Sequence, residues 1–267
     1  MKFGKKFRRI AALVAVLSVG LVLTACGSSK SSNAELQHKG KLTVGLEGTY
    51  APYSYRQNGK LTGFEVELTQ DIAKKMHLKP QYVTTKWDGL IAGLGSNKYD
   101  TVFNNIGENP QRKKSFLFST PYIYDKSIII TKTSDKSIQN LKSIKGKKFV
   151  EGTGTNNEAL AKQYGASIVP SEEFTTSLAL IKEGRADGAV NSLAAWNAYK
   201  KDHSTAGLKA IVIPKSEHAP AKIAGLFNKQ SPALRKKVSK AIKQLRKDGT
   251  LKKLSEKYFQ ADVTKND

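Results

Sequence analysis

A single cysteine and four histidines stand in a chain of 267 residues. One thiol excludes an internal disulfide framework and a thiolate zinc cluster. His38, His77, His203 and His218 show no metal-ligand spacing, and no G-x-S-x-G nucleophile elbow occurs, so neither a metal site nor a catalytic residue is expected. Acids are also scarce: 22 Asp plus Glu face 45 Lys plus Arg, a net charge of +23. The longest apolar run, Ile10 to Ala25, falls short of the roughly 20 residues that span a bilayer. What is present is 39% apolar residues, enough for a packed core, and 8% aromatics, which argues against general disorder. The length allows one large domain or two ordinary ones. A basic balance of this size points to nucleic acid, a membrane surface or an anionic polymer, and the N-terminus decides which the chain can meet.

Met1 to Arg9 carries Lys2, Lys5, Lys6, Arg8 and Arg9 with no acid, and the apolar run after it ends in Leu23-Thr24-Ala25-Cys26. Charge, length and small residues before a cut point make residues 1–25 a secretion signal. The four-residue ending resembles a bacterial lipobox, which implies lipidation of Cys26 and an anchored position on the extracellular face of the cell membrane. Residues 26–39, opening Cys-Gly-Ser-Ser-Lys-Ser-Ser-Asn, then form a flexible tether. Removal of the signal takes five positive charges from +23 and leaves +18. Export places nucleic acid out of reach, and no RNA-binding motif restores it; the bland reading of the charge is a solvated surface facing anionic polymers and lipids.

From Lys41 onward short β-like runs alternate with amphipathic stretches, the pattern of an α/β fold with largely parallel sheets. Strands are expected at Leu42 to Leu46, Gln81 to Thr84, Thr101 to Phe103, Lys148 to Glu151, Ser167 to Val169, Gly188 to Val190 and Leu208 to Ile213. Helices are expected at Phe64 to Met76, Asp88 to Gly95, Asn156 to Tyr164, Phe174 to Glu183, Ser192 to Lys200, and as a pair broken at Asp248-Gly249. Two blocks of this grammar predict two lobes, residues 40–123 plus 220–267 and residues 124–219. Ser127 to Thr131 reads as the connection crossing between them, and Ala221 to Phe227 as the return.

Two loops carry candidate anion sites. In Asn104 to Arg112, Asn109 is an N-cap and Pro110 the first helical residue, placing Arg112 in the first turn, where a cation is disfavoured unless it shares an anion with the free N–H groups. It is either a carboxylate clamp or one more solvated cation like Lys113 and Lys114. Gly152 to Glu158 joins a strand to a helix, with Thr155 and Glu158 spaced as a capping box; it partly mimics a dinucleotide fingerprint, with Glu172 at the distance of a ribose-binding acid, but Asn157 replaces the third glycine. Tyr50 and Trp87, in or beside loops after strands, are cleft-wall candidates, whereas Tyr55 and Phe64 are better read as core. Glu65 and Glu67 are expected on a solvated face.

Seven ordered motifs carry a resemblance: VGLEGTYAPYSY (44–55), GKLTGFEVEL (59–68), TKWDGLIAGL (85–94), NPQRKKSFLFSTPY (109–122), GTNNE (154–158), EGRADG (183–188) and DGTLKKLSEKYFQADVTK (248–265). Together they resemble the polar amino-acid-binding proteins of ABC importers, most closely the cystine-binding branch. The resemblance implies a two-lobed periplasmic-binding-protein-like fold of type II, with two crossing strands as hinge. It implies capture of an amino acid, most closely cystine, delivery to the permease subunits of an ABC transporter, no cofactor and no metal. Residue by residue, it assigns the ligand α-carboxylate to Arg112 and the Gly107 N–H, and the vicinity of the ammonium to Asn104 and Asn105. Tyr50 and Trp87 become walls, Glu47 a side-chain-facing acid, and Gly152, Asn156 and Asn157 contacts from the second lobe. The acid that many relatives carry after the strand Gly188 to Val190 is replaced here by Asn191 or Ser192, depending on a gap. Two rival functions stay open: a basic surface adhesin for matrix or wall polymer, and an exported lyase-type enzyme for which Glu47 is the credible acid.

Overall fold

The computed structural model describes residues 33–266. The signal at 1–25, Cys26 and the start of the tether lie outside the described residues.

Two five-stranded sheets organise the chain. The first runs, edge to edge, Lys79–Thr84, Lys41–Leu46, Thr101–Val102, Leu226–Asn228 and Phe116–Phe118. The second runs Ser167–Pro170, Lys148–Glu151, Gly188–Ser192, Ser127–Lys132 and Leu208–Val212. In each sheet the first three strands are parallel and the last two junctions antiparallel. The parallel strands are the ones joined through helices, as parallel pairing requires.

The chain passes between the sheets twice, at Ile123–Asp125 and Ala221–Ile223, which pair antiparallel in a ladder of their own. This corrects the expected crossing at Ser127 to Thr131. Ile128, Ile129 and Ile130 are all fully buried, so both faces of that strand are covered, which an interior strand under helices on both sides demands and a connection does not. Likewise only Ala221–Ile223 of the expected return crosses; Leu226–Asn228 belongs to the first sheet.

Phe174–Glu183 has the expected ends, and the other helices differ from the expected ones by a residue or two, several of them for a capping reason. Met76 and Tyr164 close their helices as C-caps. Ser192 ends a strand instead of opening a helix, and its Oγ accepts from Ala195 N to cap Leu193–Asp202. The break at Asp248-Gly249 stands: Gly249, at φ 81°, separates Pro232–Lys247 from Thr250–Phe259. Both helices pack on Phe64–Lys75, and the resulting core joins Leu42, Val44 and Leu46 of the first sheet to Phe64, Ile72, Val238 and Ile242. Tyr55, expected in the core, lies half-buried in the Tyr55–Thr62 hairpin, and Tyr53 takes the fully buried place.

Candidate ligand-binding cleft

All eleven residues singled out from the sequence line one cavity: Glu47, Tyr50, Trp87, Asn104, Asn105, Gly107, Arg112, Gly152, Asn156, Asn157 and Asn191. Its volume open to water centres is about 130 Å³, room for on the order of ten waters or one small molecule.

Arg112 is built in from both sides. Asn109 Oδ1 accepts Arg112 N at 2.7 Å and Pro110 opens the helix Pro110–Ser115, so the local sequence dictates where the side chain starts. The guanidinium then donates to Gly107 O and Gly154 O, each at 3.0 Å, with the Trp87 ring centroid 5.3 Å away. It is 8% exposed. Burial lowers its pKa to about 10, which leaves it charged at neutral pH. Among the described residues no carboxylate lies within ion-pair distance of it. A buried cation held only by carbonyls calls for an anion.

The remaining walls are tied across the cleft. Tyr50 Oη donates to Asn191 Oδ1 at 2.8 Å, Trp87 Nε1 to Thr153 O at 2.8 Å, and Asn109 Nδ2 to Asn156 Oδ1 at 2.7 Å. Each of these bonds joins a residue flanking the first sheet to one flanking the second, so the cleft is shut. Of the expected capping box, Thr155 Oγ1 does accept Glu158 N, but Glu158 Oε2 returns to Gly154 N, one residue early. Glu47 exchanges two bonds with Asn104, its N–H donating to Oδ1 and its Oε2 accepting from Nδ2. Burial, then the charges of Glu173 and Glu172, push Glu47 up to about 7.

Gly107 shows what closure demands of the backbone. A Cβ there would collide with Asn156 Nδ2 from the other side of the cleft, with Ala221 Cβ the next neighbour at 3.9 Å. Gly107→Ala is therefore expected to weaken ligand affinity about tenfold while leaving the ligand-free thermal midpoint within about 2 °C, as read by calorimetric titration beside a melting scan. An affinity unchanged within twofold would mean that Asn156 gives way at no cost.

Glu65 is not on a solvated face. It is 0% exposed, and its Oε1 accepts from Asn105 N and from Tyr122 Oη, while Oε2 has no partner. The expectation of a solvated face holds only for Glu67, which pairs with Lys257 at 2.6 Å. Glu65 instead turns inward to satisfy the N–H of the Asn104-Asn105 turn, where Asn105 sits at φ 47°. Burial pushes its pKa up to about 7 from 4.5. Because the folded state holds this proton more tightly than the unfolded chain, the stability it contributes is present below pH 4.5 and is lost as pH rises through about 7. Glu65→Gln mimics the protonated acid, so it is expected to raise the thermal midpoint by about 5 °C at pH 8 and to change it little at pH 4.5. Equal midpoint shifts at both pH values would show that no proton is involved.

The cavity also contains Asp125, Glu151, Glu172, Phe174 and Ser192, and of these the sequence reading reached only Ser192, as an alternative, and Glu172, as a ribose-binding acid. Asp125 had no local signal: it follows an ordinary apolar run and enters the site because the crossing strand does. Glu172 lines this cavity rather than a dinucleotide site, its Oε1 3.4 Å from Thr153 N.

Two sheets joined by a two-stranded ladder, closed over a cavity with a buried uncompensated cation, define a two-lobed solute-binding protein of the type II periplasmic fold. The chain belongs to the bacterial extracellular solute-binding proteins, family 3, whose model matches residues 42–261. It is 38% identical over 265 residues to the L-cystine-binding protein TcyJ of Escherichia coli K12, covering 95% of this chain and 97% of that one. Among solved structures it is similar to an ancestral arginine-binding protein bound to glutamine, with TM-score 0.77, 32% identity, and 84% and 100% coverage. It is also similar to the L-cystine solute receptor of Neisseria gonorrhoeae in its unliganded open conformation, with TM-score 0.59, 35% identity, and 89% and 100% coverage.

Proposed function

We propose that this chain is a lipid-anchored extracellular receptor that captures an amino acid, cystine above others, and hands it to the permease of an ABC importer. The observation that carries this reading is Arg112, a charged guanidinium enclosed by first-lobe and second-lobe carbonyls with no carboxylate partner among the described residues. A ligand carboxylate completes it. Cystine is favoured by the E. coli and gonococcal relatives and by the second acidic locus, Glu47 with Glu172 and Glu173, which suits the second ammonium of a doubled amino acid. The greater likeness to a ligand-bound relative than to an open one of higher identity accords with the cross-cleft hydrogen bonds.

Capture works by population shift. Contacts to both lobes exist only when the cleft is shut, so a ligand that makes them favours closure. The Leu23 to Cys26 motif supports anchoring, and a diacylglyceryl group would hold the chain stably on the membrane. The lobes extend over 40–123 plus 220–267 and over 124–219.

The test is calorimetric titration of the full chain in mild detergent with cystine, cysteine, glutamine, arginine and histidine. Saturable heat with cystine exceeding that of the others supports the reading. Heat from none of them would sink it.

A further inference from the structure

Resting on the amino-acid reading above, the cleft must also receive an ammonium, because the free amino acid carries one on the carbon that bears its carboxylate. A buried ammonium needs an acceptor, preferably an anionic one. Asn191 does not provide it. Its Oδ1 already accepts from Tyr50 Oη and from Ser192 N, both at 2.8 Å, and an amide oxygen has two lone pairs. The Ser192 N–H also fixes which end of the amide is oxygen, so only Nδ2, a donor, is left. Ser192 Oγ is consumed as well, lying against Asp125 Oδ1, Tyr53 Oη and Ala195 N.

Asp125 has what these residues lack. It lines the cavity and is 8% exposed. Its Oδ2 accepts from Tyr53 Oη at 2.9 Å and Asn105 Nδ2 at 3.0 Å, but its Oδ1 accepts only from Ser192 Oγ at 3.0 Å, so capacity for one more donor remains. Beside it, Asn105 Oδ1 is buried without any hydrogen-bond partner. Two acceptors with spare capacity thus lie side by side, on two residues that both line the cavity.

Their position relative to Arg112 fits one head group. Asp125 is the register partner of Ala221 in the crossing ladder, and Ala221 is also the residue that a Cβ on Gly107 would approach at 3.9 Å. Gly107 O is the carbonyl that holds the guanidinium. Carboxylate clamp and free acceptors therefore flank the same two residues, Gly107 and Ala221. Glu47 lies on the other side of the Asn104-Asn105 turn, bonded to Asn104.

We propose that Asp125, seconded by the Asn105 amide oxygen, receives the ligand ammonium and is the specificity-determining residue that distinguishes an amino acid from a plain carboxylic acid. Its place adds a consequence. Asp125 sits on a crossing strand and holds Tyr53 from one lobe and Ser192 from the other, so a cation at this carboxylate reinforces the contacts that keep the lobes shut.

The test uses the full chain in mild detergent and two ligand pairs that differ only in amino groups: cystine with dithiodipropionate, and glutamine with glutaramate. The unaltered protein is expected to prefer the amino member of at least one pair. In Asp125→Asn that preference should fall about 30-fold or more, with the affinity for the deaminated member held within about threefold. A structural role alone would weaken both members alike, which makes the ratio the decisive readout; if Asp125→Asn does not fold, Asp125→Ser supplies it. The proposal is overturned if Asp125→Asn keeps the full preference, and more so if Glu47→Gln or Glu151→Gln loses it for the glutamine pair, which differs by a single ammonium. If the unaltered protein binds none of the four compounds, the amino-acid reading itself has failed and this inference falls with it.

Discussion

Arg112→Ala is expected to reduce amino-acid affinity on the order of 1000-fold, since it removes the charged partner of a buried carboxylate together with its fork of donors. The fold should survive. In the ligand-free protein the guanidinium is a buried charge without a counter-ion, so its removal relieves desolvation at the same time as it abandons the bonds to Gly107 O and Gly154 O. These effects oppose each other, and the thermal midpoint should move by no more than about 3 °C. Arg112→Lys keeps the charge but not the fork, and should fall between the two. Titration calorimetry reads the affinities, and a loss smaller than tenfold in the alanine variant would remove Arg112 from the clamp. The same variant separates solute capture from adhesion to an anionic polymer, because polymer binding through the surface charge of +18 left after signal removal would be salt-sensitive and would persist without Arg112.

Gly63→Ala is expected to destabilise the chain by about 3–5 kcal/mol, a fall of about 10 °C in thermal midpoint for a protein of this size. Gly63 sits at φ 126° and ψ 168°, a region that side chains rarely enter. A Cβ there would also lie 2.7 Å from Tyr53 C and closer still to its carbonyl oxygen. That approach is enforced from both ends. Phe64 N donates to Pro52 O and Glu65 N to Tyr53 O, each at 2.9 Å, so the loop before Gly63 caps the helix after it with its own carbonyls. The loop carries Tyr50 into the cleft and Tyr53 to the Asp125 carboxylate behind it, and affinity should fall with stability. A midpoint within 2 °C of the unaltered protein would show that the loop yields without loss.

The elements and the position of Arg112 were legible because their causes are local. Asn109 and Pro110 position Arg112 by capping chemistry that operates within four residues, and the strand at Lys148 to Glu151 is apolar enough to be recognised wherever it lies. The eleven residues that the family resemblance assigned all line one cavity. Buried acids were misread for the complementary reason. Nothing next to Glu65 distinguishes a carboxylate that will cap a distant turn from one that will face water, and the difference lies in Asn105 and Tyr122, which are 40 and 57 positions away.

The crossing strands make the same point. An all-apolar run such as Ile128 to Ile130 signals burial on both faces, but which strands surround it depends on pairings made across the whole chain. What this sequence determined by itself was the order of elements and the placing of Arg112 in a first helical turn, both set by short-range propensity and capping, and, through the resemblance of its motifs, the family. Only the tertiary structure decided which carboxylates turn inward and which line the cavity. The reason is physical: a charge is sorted into solvent or cavity by the hydrogen-bond donors brought to it from elsewhere in the fold, and Tyr53, Asn105 and Ser192 converge on Asp125 only once both lobes have formed and closed.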